Sequence, residues 1–182
     1  LGFVLMNLID WKKSPDRKPL VIKGARQVGK SYIMQEFGKN YFDSFVYINF
    51  DSDSQVGKIF DVDKNPERIV ADLSIYVGKK IEKNKTLIIL DEIQFCENAL
   101  NSLKYFYEKA KEYYVICAGS LLGTYLKNEG MSYPVGCINV LEMYPLNFEE
   151  FVMEMDENIF KEYTQVDILG DEKSLFHNQL NE

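Results

Sequence analysis

Gly24-Ala25-Arg26-Gln27-Val28-Gly29-Lys30-Ser31 matches every fixed position of the pattern G-x-x-x-x-G-K-[ST], the Walker A phosphate loop. Its glycines allow the backbone to approach a phosphate closely, so that successive N–H groups can donate to it. Lys30 can reach the terminal phosphates of a nucleotide, and the Ser31 hydroxyl can bind Mg²⁺. We therefore predict a nucleotide-binding loop that extends to Tyr32. The alternative is a glycine-rich turn that binds nothing.

The segments on either side suit a loop that joins a strand to a helix. Residues 20–22 are apolar and predict a short strand. Residues 31–39 have helical periodicity, with Ile33, Met34 and Phe37 on one face. The positive end of that helix dipole would favour an anion at the loop. The local context thus agrees with the motif.

A pair of carboxylates, Asp91 and Glu92, follows the unbroken apolar run at residues 86–90. Such a run is typical of a central parallel strand that is buried on both faces. The end of a parallel strand beside a phosphate loop is a place for a metal site. We predict a Walker B pair in which Asp91 holds Mg²⁺, directly or through water, and Glu92 orients and activates the attacking water. The alternative is two solvated carboxylates at a strand end.

The remaining elements alternate in type along the chain. Further strands are predicted at 45–50, 114–118 and 138–141, and helices at 99–111, from 65–67 onwards and from 147 to about 154. Ser120 follows a strand, where its hydroxyl could contact the γ-phosphate or the lytic water, or could cap the next helix. Trp11 could line the nucleotide base or pack in the core.

This alternation predicts an α/β fold of three layers with a parallel sheet. One strand lies between the loop strand and the Asp91-Glu92 strand, and the acidic base stands beside the metal ligand. Both features indicate the P-loop NTPase class that carries its own catalytic glutamate, with the strand order 5-1-4-3-2. We divide the chain into a lead-in segment at 1–19, an ATPase core at 20–155, and a linker or the start of a further C-terminal region at 156–182.

Composition limits the partners and the cellular compartment that we expect for the protein. The chain has 182 residues and a net charge of −7, so neither nucleic acid nor an acidic membrane surface is an expected partner. Its three cysteines have no C-x-x-C spacing, which indicates free thiols in a reducing compartment. With no membrane segment in the sequence, we expect a cytoplasmic protein. The chain does not begin with Met and stops in a polar stretch, so we expect a fragment.

Several blocks together resemble one prokaryotic family, the AAA+-type ATP-binding proteins whose ATPase domain precedes a C-terminal domain often compared to restriction-type nucleases. The resemblance covers roughly residues 5–155. Besides the phosphate loop, it rests on Asp91-Glu92-Ile93-Gln94, Ser102-Leu103-Lys104-Tyr105-Phe106, Ala118-Gly119-Ser120-Leu121-Leu122-Gly123 and Tyr144-Pro145-Leu146-Asn147-Phe148-Glu149-Glu150-Phe151.

The resemblance implies that Lys30 and Ser31 bind nucleotide and Mg²⁺, that Asp91 and Glu92 serve the metal and the water, and that Ser120 stands at a sensor position. It also implies that Asn49, late in the second strand, restrains the catalytic glutamate until a partner engages. One position departs from the family. Cys137 follows Pro134-Val135-Gly136, where such proteins usually carry a basic residue.

The function expected first is an ATP-hydrolysing switch that requires Mg²⁺ and acts on a C-terminal domain in cis or on a partner. A nucleotide-binding regulatory module with little turnover is the second interpretation, and a small P-loop phosphotransferase is a distant third. The chain has only three arginines, at 17, 26 and 68. We therefore expect slow hydrolysis until a homo-oligomer, a protein partner or the C-terminal part supplies a cation.

Overall fold

The computed structural model describes residues 2–119 and 135–144. The strands of this part are β1 (Leu20–Lys23), β2 (Ser44–Asn49), β3 (Thr86–Asp91), β4 (Tyr114–Gly119) and β5 (Asn139–Glu142). Its α-helices are α1 (Gly2–Lys13), α2 (Lys30–Tyr41), α3 (Lys58–Val62), α4 (Pro66–Val77) and α5 (Glu97–Lys109). Short 3₁₀ turns lie at Ser54–Gly57, Ile93–Phe95 and Val135–Cys137.

The five strands form one sheet in the order β2-β3-β4-β1-β5, and each neighbouring pair is parallel. This is the predicted order 5-1-4-3-2 counted from the opposite edge, so the prediction is confirmed. The carboxyl ends of all five strands consequently lie along one edge of the sheet. At that edge Asn49 stands in register with Asp91 on the neighbouring strand.

Strand β3 is buried along its whole length, as its apolar run predicts. Leu87 and Ile89 belong to a core cluster with the apolar face of α2, whereas Ile88 and Leu90 belong to a second cluster with α4 and α5. Alternate residues of a strand point to opposite faces, so β3 fills both clusters at once. Helices thus cover both faces of the sheet, which confirms the three-layer arrangement.

The lead-in segment holds a helix, α1, that the sequence did not predict. Leu8 and Trp11 on this helix are buried in the same cluster as α2. The Trp11 indole N–H donates to the Lys18 carbonyl at 2.7 Å, and its ring packs edge-on against Tyr114. Because Tyr114 begins β4, Trp11 lies near the amino end of that strand, whereas the phosphate loop follows the carboxyl end of β1. Trp11 is therefore a core residue.

Other local predictions hold with small shifts of boundary. Asn65 caps α4, since its side chain accepts from the Glu67 backbone N–H at 3.1 Å. The cysteines are free thiols. None of the helices found in residues 2–119 and 135–144 has the length and apolar character that a membrane span requires. Ser120, the predicted helix at 147–154 and the segment 156–182 lie outside the described residues.

Candidate nucleotide-binding site

The predicted phosphate loop connects the end of β1 to the start of α2. Gly29 precedes the helix with φ 87°, a left-handed conformation that glycine adopts without strain. Gly24 lies against the end of β5: a Cβ built on it would come within 2.3 Å of the Met143 carbonyl oxygen. The Met143 N–H in turn donates to the Lys23 carbonyl at 2.7 Å. Both glycines of the motif are thus required by the shape of the loop.

Lys30 lies across the loop that precedes it. Its Nζ donates to the carbonyl oxygens of Gly24 at 2.9 Å and Ala25 at 2.6 Å, and the residue is 6% exposed. Burial lowers the pKa of Lys30 below the usual lysine value, while the negative charges of Glu92 and then Asp91 act in the opposite direction. The loop therefore holds a positive charge with two carboxylates close enough to affect it.

Asp91 is the buried centre of the site, with 1% of its surface exposed. One of its oxygens, Oδ2, accepts from Ser31 Oγ at 2.5 Å and from Tyr47 Oη at 2.7 Å. Its other oxygen accepts from the Glu92 N–H at 2.9 Å. A buried carboxylate needs such donors to offset its desolvation. Burial, with the donation to Asp91, raises the pKa of Tyr47, so this hydroxyl stays a donor at neutral pH.

The oxygen atoms of Ser31 and Asp91 fit a magnesium ion. They meet where the loop and the end of β3 adjoin, and a hydroxyl with one carboxylate is a typical protein share of an Mg²⁺ site whose other ligands are water and phosphate. Within residues 2–119 and 135–144, no group of three or more His, Cys, Asp or Glu forms a site made of protein ligands alone. The donor set therefore suits Mg²⁺ bound together with a nucleotide.

Glu92 is fixed by its backbone and by one neighbour. Its φ of 50° and ψ of 43° are left-handed, which is uncommon for a residue with a side chain. Its carboxylate accepts a hydrogen bond from Gln94 Nε2. Gln94 follows the carboxylate pair by two residues, and its position in the sequence does not predict a role in the site.

Asn49 adjoins Asp91 and contacts other groups. Its Nδ2 donates to Tyr47 Oη at 3.3 Å, and its Oδ1 accepts from the backbone N–H groups of Asp51 at 2.9 Å and Ser52 at 3.2 Å. Its amide thus forms hydrogen bonds with the turn after β2 and with Tyr47, which itself donates to Asp91. The restraint of Glu92 by Asn49 stays a prediction.

Two of the three arginines have partners outside the phosphate loop. Arg17 stacks 3.8 Å from the Tyr114 ring centroid and donates to the Lys111 carbonyl. Arg68 forms ion pairs with Asp63 at 2.8 Å and Asp72 at 2.6 Å. Arg26 lies exposed in the phosphate loop, and Cys137 is half-buried.

We expect Tyr47→Phe to lower the free energy of unfolding by about 1.5–3 kcal/mol, the usual loss when a hydrogen bond to a charged group is removed. The reason is that Asp91, which stays buried, would lose one of its donors. Urea denaturation measures the change. Tyr76→Phe is the control, because Tyr76 also donates to a carboxylate, that of Asp53, but at the exposed surface. Equal changes in the two variants would contradict the importance of the Asp91 contact.

The sheet order, the loop and the arrangement around Asp91 define the class of P-loop ATPase domains. A comparison with known protein families makes this more specific: the family model described as an AAA domain matches residues 16–152. The chain belongs to this family.

Two known proteins illustrate the relationship. An uncharacterized protein of Methanocaldococcus jannaschii is 29% identical over 148 residues, which cover 81% of this chain and 31% of that protein. The solved structure of the Walker-type ATPase PABY2304 of Pyrococcus abyssi superposes with a TM-score of 0.52 at 18% identity, covering 90% of this chain and 57% of that one. At this identity the structural similarity shows a shared fold. The chain therefore spans 31% and 57% of the lengths of these two proteins.

Proposed function

We propose that this domain binds Mg-ATP, hydrolyses it, and uses its nucleotide state to control a C-terminal domain or a partner protein. The observation that carries the proposal is the contact between Ser31 and Asp91. It lies next to Lys30, whose ammonium group donates to the carbonyls of the phosphate loop. Membership of the AAA family and the larger size of the relatives support the choice of a switch. We propose residues 20–155 as the ATPase core and 1–19 as its lead-in, in which α1 buries Leu8 and Trp11 in the core. We propose 156–182 as a linker or the start of a further C-terminal region.

Each residue of the site has a defined task in this proposal. The backbone N–H groups of residues 24–32 and the Lys30 ammonium bind the phosphates. Ser31 and Asp91 hold Mg²⁺, which would neutralise charge on the β- and γ-phosphates. Glu92 accepts a proton from the attacking water. Ser120 remains the proposed sensor, and Asn49 the proposed restraint.

A nucleotide-binding module with little turnover is the second candidate. It is favoured by the partners of Arg17 and Arg68, since both guanidinium groups contact residues outside the phosphate loop. The two candidates share the binding step and differ in turnover. Phosphate release by this chain, measured alone and together with the proposed C-terminal region or partner, separates them.

We expect Lys30→Ala to weaken Mg-ATP binding on the order of 10–100-fold, because a charge-assisted hydrogen bond contributes about 1.5–3 kcal/mol. Titration calorimetry measures the affinity. Lys39→Ala is a matched control, since Lys39 lies on the same helix with a largely exposed side chain. Unchanged affinity in Lys30→Ala would remove the central claim of the proposal.

A further inference from the structure

Gln94 is a polar residue that the site holds almost completely buried, with 7% of its surface exposed. It lies in the 3₁₀ turn Ile93–Phe95 and donates through Nε2 to Glu92 Oε2. Its neighbour Phe95 is exposed, so the turn directs the amide inwards and the aromatic ring outwards.

The chemistry of the pair fixes the orientation of the amide. An ionised carboxylate only accepts hydrogen bonds, so the NH₂ group of Gln94 must face Glu92. Gln94 Oε1 is buried and has no hydrogen-bond partner within the described residues. Rotating the amide would bring this oxygen against the carboxylate, with two acceptors face to face. Electrostatics therefore favour this orientation of the amide. Burying its Oε1 without a hydrogen bond nevertheless lowers the stability of the folded state.

Glu92 is held at the end of β3, directly after Asp91. Its backbone is left-handed, its N–H donates to Asp91, and its carboxylate is bound by Gln94. Because Glu92 directly follows Asp91, whose carboxylate contacts Ser31 of the phosphate loop, Gln94 holds a side chain that adjoins the proposed metal site. Asn49 has its own partners at Tyr47 and in the turn after β2.

We propose that Gln94 is a positioning residue that fixes the Glu92 carboxylate beside the phosphate loop, where it takes the proton of the attacking water. This inference rests on the proposed ATP hydrolysis and specifies how its general base is oriented. Gln94 acts through Glu92 and does not itself take part in proton transfer.

The test is the variant Gln94→Met, which keeps the length of the side chain and removes its donor. We expect kcat for ATP hydrolysis to fall about tenfold, the size of one lost hydrogen bond to a charged group. We expect KM to change less than about twofold, because the phosphate ligands are untouched. The melting temperature should not fall, since the unpaired buried oxygen is removed as well. A loss of kcat with unchanged thermal stability separates positioning from a purely structural role.

A double-mutant cycle makes the test specific. In the Glu92→Gln background, Gln94→Met is expected to change the residual kcat by less than about twofold, because its effect passes through the missing base. Gln94→Glu, which places an acceptor opposite Glu92, is expected to lower kcat at least as much as Gln94→Met does. Phosphate release by a sensitive single-turnover assay measures the four proteins of the cycle and Gln94→Glu.

Three outcomes would overturn the inference. The first is an unchanged or increased kcat in Gln94→Met, the second is full activity in Gln94→Glu, and the third is an equal loss in both Glu92 backgrounds. In each of these cases, ATP hydrolysis by the wild-type protein would still support the proposed function. Absence of ATP hydrolysis in the wild-type protein would instead overturn the proposed function and this inference with it.

Discussion

Glu92→Gln is expected to slow ATP hydrolysis by about 10²–10⁴-fold, the usual contribution of a general base. An amide cannot take a proton from water, whereas the residues proposed to bind Mg-ATP are Lys30, Ser31 and Asp91. The affinity for Mg-ATP should therefore stay within a few fold of the wild-type value. Single-turnover phosphate release measures the rate, and calorimetric titration measures the affinity.

Two further variants complete this experiment. Asp91→Asn is expected to lose much of the Mg-ATP affinity, because Asp91 and Ser31 form the proposed metal site. Glu97→Gln is a neutral control, since Glu97 is exposed in the first turn of α5. If Asp91→Asn spared Mg-ATP binding and Glu92→Gln did not, the two carboxylates would have the opposite roles.

The arrangement of the sheet could be predicted because its signals are local and strong. The phosphate loop fixes one strand and one helix, and the apolar run before Asp91 predicts the interior position of β3 in the sheet. The helix α1 was missed for the opposite reason. Most of residues 2–11 are apolar, so the buried face with Leu8 and Trp11 barely differs from the rest of the helix. A helical face can be predicted only where polar residues mark the other side.

The 3₁₀ turn at 54–57 and the helix α3 were missed because they are short. Each is shorter than two helical turns, and their main core contacts come from Val56 and Phe60. Two apolar residues four positions apart in an acidic segment do not form a recognisable period. Their burial is decided by tertiary packing, where Phe60 lies against Phe50.

The sequence could predict those parts of the site whose residues are brought together by the order of the strands. Ser31 and Asp91 come together because parallel strands bring loops from different parts of the chain to one edge of the sheet. Gln94 could not be placed in this way. Its contact with Glu92 depends on the left-handed backbone at Glu92, which no local pattern indicates. Likewise, the partners of Asn49 are set by the turn that follows β2.

Phosphoryl transfer requires a positive charge beside the reacting phosphate, and the arginines of this chain are the first candidates to supply it. An arginine that contacts the developing charge contributes about 10³–10⁵ in rate. Lys30 is proposed to bind the ground-state phosphates, Arg17 packs on Tyr114, and Arg68 is paired with two aspartates. Arg26 is exposed in the loop itself, and no arginine follows residue 68 in the sequence. We therefore expect this chain to need a cation from a second copy, from a partner or from a further part of a longer protein.

The 182-residue chain alone should accordingly bind Mg-ATP and hydrolyse it slowly, well below the roughly 1–100 s⁻¹ of protein kinases. If a second copy supplies the cation, the rate per molecule should rise with protein concentration, and steady-state hydrolysis over a wide concentration range would reveal it.

The variant Arg26→Ala tests whether the exposed loop arginine acts on a neighbouring copy. When this variant is mixed with an excess of the Lys30→Ala variant, it should recover activity if Arg26 acts in trans. If a partner or a further region supplies the cation, the rate stays low at all concentrations and rises when that component is added. A rapid rate that stays constant per molecule down to monomeric dilution would show that the chain is self-sufficient, and would contradict the expectation.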